Sequence, residues 1–141
     1  MRKQVYGVTS LGLMAAAVLI AAVVMFKTSW VLGVVYLAIC VAGSGAILFA
    51  YCAKCPCKAH CAHIFPGKAA MAFDRQPGPY TAAELAAPVV TLLLLLGLPQ
   101  FWLWRNMGLF ITFWVLSAIA FFQIRTVVCR ACDNSHCPLK I

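Results

Sequence analysis

Apolar positions in this chain fall in long unbroken runs with short polar breaks between them. Four runs stand out, over residues 5–26, 30–51, 82–104 and 107–128. Each supplies about 20 apolar residues in a row, and at roughly 1.5 Å per residue that is enough helix to cross the hydrocarbon of a bilayer. The runs are continuous rather than alternating, which argues against membrane-spanning β-strands. Lys27-Thr28-Ser29 separates the first run from the second, and Arg105-Asn106 separates the third from the fourth. Breaks this short turn the chain straight back on itself, so the pattern predicts two antiparallel hairpins. The expected fold is an all-α integral membrane four-helix bundle. It comprises transmembrane hairpin 1 (residues 1–51), a cytoplasmic Cys/His-rich loop (52–80), transmembrane hairpin 2 (81–128) and a cytoplasmic Cys-rich tail (129–141). Met1-Arg2-Lys3 before an apolar stretch resembles the start of a signal peptide. The run exceeds the usual apolar core of about 7–15 residues and lacks a clear small-x-small cleavage site before Lys27, so it reads as a retained helix.

Composition points the same way. The 141 residues are 65% hydrophobic and 10% charged, with a mean hydropathy of +0.96. Soluble domains are roughly half apolar and about one quarter charged, and a domain this small buries only a limited share of its surface. Lipid is therefore the expected solvent. The net charge of +8 carries a direction. In a four-helix layout Arg2, Lys3, Lys54, Lys58, Lys68, Arg75, Arg125, Arg130 and Lys140 fall on one side, and only Lys27 and Arg105 on the other. The positive-inside rule then places both termini and the 52–80 loop in the cytoplasm, for a multi-pass protein of an inner or plasma membrane. The basic residues are scattered, so no nucleic-acid partner is expected. Anionic headgroups suit them better.

Local signals mark the connections. Pro66-Gly67 and Pro77-Gly78-Pro79 are turn signals, and Thr81 with Glu84 forms a capping-box pattern that opens the third helix. Pro99 should kink that helix. Ala38, Ala42 and Ala46, with Gly43 and Gly45, predict close helix packing along the second span. Apart from Glu84, at headgroup level, the spans contain no Asp, Glu or His. That argues against proton pumping, ion-coupled transport and intramembrane haem. Cys40, alone in mid-span, reads as a small buried hydrophobe.

The chemistry is concentrated in the other seven cysteines. Cys52, Cys55, Cys57 and Cys61, with His60 and His63, form one module; Cys129, Cys132 and Cys137, with His136, form the other. Both modules have a Cys-x-x-Cys followed after a few residues by His-Cys, and both follow a hairpin, which suggests an internal repeat. The helices before the modules run in the same direction, so both modules emerge on one face, where Cys52 and Cys55 are expected near Cys129 and Cys132, close enough to share ligands or stack two sites. A cytoplasmic location disfavours stable disulfides. Thiols and imidazoles at this density point to a metal, and all ten residues are candidate ligands. Zinc takes four cysteines, or three cysteines and a histidine. Cys52, Cys55, Cys57 and Cys61 could form one such set; Cys129, Cys132 and Cys137, completed by a histidine, could form another. An iron–sulfur cluster is the alternative cofactor, although the cysteine spacings do not match ferredoxin runs. Three roles remain open: a structural metal site that docks a protein partner at the cytoplasmic face, an iron–sulfur electron relay, and soft-metal or thiol exchange aided by Lys54, Lys58, Arg125 and Arg130. The chain has no phosphate-binding loop, no nucleophile triad and only three acidic residues, so independent catalysis is the less favoured expectation.

Overall fold

The computed structural model describes residues 2–130 together with Cys132, Asn134 and Cys137. Of these residues 78% are helical and none lies in a strand. Four helices are long and apolar enough to cross a membrane: Gln4–Thr28, Trp30–Cys52, Ala82–Leu103 and Met107–Val128. In element order the chain forms α1 (Arg2–Thr28), α2 (Trp30–Ile47), α3 (Ile64–Met71), α4 (Ala82–Gly97), α5 (Gln100–Leu103) and α6 (Met107–Gln123). α2 and α6 each run on into a π-helical turn, Leu48–Cys52 and Ile124–Val128.

The breaks act through single polar residues. Ser29 is extended (φ −162°, ψ 135°) between α1 and α2. Asn106 is likewise non-helical, and its side chain accepts a hydrogen bond from the Leu109 N–H at 3.3 Å, which caps α6. The third run divides at Pro99. Proline has no N–H to donate to the carbonyl four residues back, so Leu95 O is left free, and the Tyr36 hydroxyl donates to it at 3.0 Å. Past the break, α5 packs against α1 and α6 and buries Leu103 completely. Pro88 also lies inside α4.

The helices pack in the order α4, α2, α1, α6. α1 lies between two neighbours because one of its stripes is small: Gly7, Ser10, Ala17 and Ala21 are buried, so a partner backbone can approach closely. Ala17, Ala21, Ala22, Met25, Tyr36, Leu103 and Phe113 form the core. The small residues of α2 behave differently from the sequence expectation. Ala38, Ala42 and Ala46 are exposed, and of the α2 positions named for close packing Gly43 alone makes a tight contact, where a Cβ would lie 2.4 Å from Thr91 Cγ2 of α4. α4 and α6 do not pack along their lengths, although a short linker predicts it. α5 takes up that connection, and Val89, Leu92, Leu93, Leu96, Gly97 and Trp114 line an apolar groove of about 330 Å³. Trp114 Nε1 reaches the Gln100 side chain at 3.0 Å.

Candidate metal centre

The two cysteine modules begin alike. The Ala53 N–H donates to Leu48 O and the Cys129 N–H to Ile124 O, both at 2.8 Å, which closes a π-helical turn at the end of each helix. The next turn is also shared: Cys55 N–H bonds Cys52 O at 3.1 Å, and Cys132 N–H bonds Cys129 O at 3.2 Å. A π turn widens the helix end and re-aims the side chains that follow it.

The modules meet. The sulfurs of Cys55, Cys57 and Cys132 all lie within 4.8 Å of one another and could hold a metal ion. The group therefore crosses between modules, whereas one of the ligand sets open from the sequence lay wholly within the first. Cys61 lies outside this group but near enough to Cys55 and Cys132 to interact with them electrostatically. Cys52 is within electrostatic range of Cys55 and Cys61. Cys129 adjoins Cys132 and Cys137, and the Cys137 sulfur is 3.0 Å from the Tyr51 hydroxyl. His60 is exposed on a short 3-10 turn, Lys58–His60. His63 Nδ1 is 3.0 Å from Gly7 O. Burial holds His63 below the ordinary histidine range, so the neutral ring donates to that carbonyl from Nδ1 and only Nε2 is left for a ligand. His136 lies outside the described residues.

Main-chain N–H groups near the sulfurs favour the charged form: that of Cys57 at Cys55, that of His63 at Cys61 and that of Asn134 at Cys132. The Asn134 side chain adds a donor to Cys55 Sγ at 3.5 Å and bonds the Tyr80 hydroxyl at 3.0 Å. Hydrogen bonds of this kind favour the thiolate. Burial acts more strongly in the other direction and pushes the Cys55, Cys61, Cys129 and Cys132 thiols above the ordinary range. Without a cation these groups keep their protons at neutral pH, whereas a bound cation would turn the donors into stabilising contacts.

Residues outside the modules hold the centre in shape. Tyr51 stacks on Tyr80 at 4.7 Å, 15° from parallel. Glu84 closes the capping box of α4 and also binds Lys54 at 2.8 Å and Arg75 at 2.7 Å, which ties α4 to the loop. Arg75 bonds Phe49 O at 3.0 Å and lies over the Phe49 ring. A Cβ on Gly67 would lie 2.7 Å from Lys58 O and 2.8 Å from Cys61 Cβ, so α3 presses directly on the loop. A Cβ on Gly7 would lie 2.2 Å from Ala62 O, which presses α1 on the other side. Sequence reasoning did not single out Tyr51, Asn134 or Gly7, because each acts on a partner remote in the chain. Comparison with known proteins finds no family model, no curated protein and no solved structure that matches the chain.

Proposed function

We propose that this is a multi-pass membrane protein whose cytoplasmic face carries a single-ion zinc site shared by its two cysteine modules. In this reading the site fixes a surface that docks a protein partner, and the modules descend from a duplicated hairpin with a cysteine-bearing end. The observation that carries it is the approach of Cys55, Cys57 and Cys132 to within 4.8 Å of one another. A Zn–S bond of about 2.3 Å sets sulfurs about 3.8 Å apart on one tetrahedral ion, a spacing that lies inside this limit. A [2Fe–2S] cluster holds its cysteines in pairs on two irons and a [4Fe–4S] cluster holds one on each iron, so three sulfurs mutually this close suit a single ion better. Cys61 is the candidate for the fourth position. The site would stiffen the loops around it, since binding energy at a thiolate site is also folding energy.

Elemental analysis of the full chain, purified in detergent under reducing, anaerobic conditions, tests this. About one zinc per chain is expected. Iron with visible absorption would replace the zinc reading by the cluster reading, and absence of both would overturn the metal site. Cys132→Ser should lower metal content and also leave the 52–61 loop open to protease, because the site is shared. The raised thiol pKa values set the pH dependence. Each thiol must lose its proton to bind, so zinc uptake should release protons and its affinity should fall as pH falls, by up to about tenfold per pH unit for each thiol.

A further inference from the structure

We propose that α3 is a membrane-interface helix that seats the cysteine loop on the anionic headgroup layer of the protein's own bilayer. The proposal rests on the membrane-spanning reading above and is independent of the metal. The inward face of α3 is small and fully engaged: Gly67 and Ala70 are buried, and Gly67 abuts Lys58 O and Cys61. Its outward arc carries large apolar side chains that stay half or more exposed among the described residues. Phe65 is 68% exposed and Met71 50% exposed, with exposed Ala69 and Ala72 on the same arc. In water such a surface on so short a helix would be costly.

Two observations identify lipid as what covers it. First, the apolar surface is continuous with a spanning helix. Phe49, near the end of the second span and 52% exposed, meets Phe73 edge-on at 5.7 Å, just beyond the end of α3. Any lipid that covers Phe49 therefore reaches the edge of α3. Second, the charge is complementary. Lys68 is exposed on the same arc as Phe65, where a long stem can lie along apolar surface while its ammonium reaches the phosphates. The segment around it is cationic, with Lys54, Lys58, Lys68 and Arg75 against Asp74 and Glu84. An interfacial helix shows this combination of apolar anchors and a basic side chain.

The methionine methyl groups supply a direct test. The full chain, labelled with ¹³C at methionine methyls, is placed in nanodiscs of mixed phosphatidylcholine and phosphatidylglycerol. The Met71 signal is assigned by its loss in Met71→Leu. A phospholipid with a nitroxide near the headgroup should broaden Met71 several-fold more than a water-soluble gadolinium chelate does. Stronger broadening by the chelate would overturn the proposal and leave this face to an aqueous protein partner. Met14, within the first span, is the control. It should be broadened by a nitroxide at the acyl-chain terminus whatever α3 does. If Met14 also fails to sense lipid, the spanning reading falls; if Met14 responds and Met71 does not, the α3 proposal alone falls.

Discussion

Two glycines decide how the cysteine loop fits its surroundings. Ala is a better helix former than Gly by about 1 kcal/mol, so helix propensity alone favours Gly67→Ala. The space around Gly67 opposes it, because the new Cβ would meet Lys58 O at 2.7 Å and Cys61 Cβ at 2.8 Å. Overpacking of this kind typically costs about 1–3 kcal/mol, which outweighs the gain in propensity. Gly67→Ala should therefore lower the thermal midpoint and reduce metal content, because Cys61 must move. Gly45→Ala is the matched control: nothing lies within 4 Å of its Cβ position, and the midpoint should hold or rise slightly. Equal behaviour of the two variants in a thermal melt would contradict this account of Gly67. His63 is a clamp of the same scale, since its hydrogen bond to Gly7 O joins the loop to α1.

At the scale of elements, the start of α4 is the joint between the second half of the chain and the cysteine loop. Glu84 does two separable things there. Its carboxylate closes the capping box with Thr81, and it pairs with Lys54 and Arg75. Gln can take the capping role but cannot pair with cations. Glu84→Gln should therefore leave helix content unchanged while trypsin cuts at Lys54, Lys58 or Arg75 several-fold faster. Thr81→Ala should show the opposite balance and cost about 1 kcal/mol of helix stability. Unchanged proteolysis in Glu84→Gln would mean that the ion pairs do not hold the loop. The break at Pro99 belongs to the same scale. It frees Leu95 O for Tyr36, so the discontinuity in the third span becomes a contact between α4 and α2.

Across the whole molecule, the beginning of α1, the ends of α2 and α6 and the start of α4 gather at one end. Gly7 meets His63, Thr9 Oγ1 bonds the Gln123 side chain at 3.3 Å, and Tyr51 meets Cys137. Lys54, Lys58 and Arg75 belong to that end, whereas Lys27 and Arg105 lie at the turns between helices. With this end in the cytoplasm, a membrane-impermeant maleimide added to intact cells should leave Cys137 unlabelled until the membrane is permeabilised. Labelling from outside would reverse the proposed orientation.

The sequence alone determined the four helices long and apolar enough to cross a membrane, because the length and apolarity of a continuous segment are local properties. It also determined the Thr81–Glu84 cap and the break at Pro99, whose causes lie within one helical turn. It identified the cysteine modules as the place to look for chemistry. Tertiary structure decided which sulfurs stand together, grouping Cys55 and Cys57 with Cys132 across the modules. It also decided which small residues pack: Gly7, Ser10, Ala17 and Ala21 of α1 are buried, while Ala38, Ala42 and Ala46 of α2 are not. Both helices carry small residues at helical spacing, and nothing local distinguishes a stripe that meets a neighbour from one that faces outward. Helix order in space settles that question, and it depends on contacts between residues far apart in the chain.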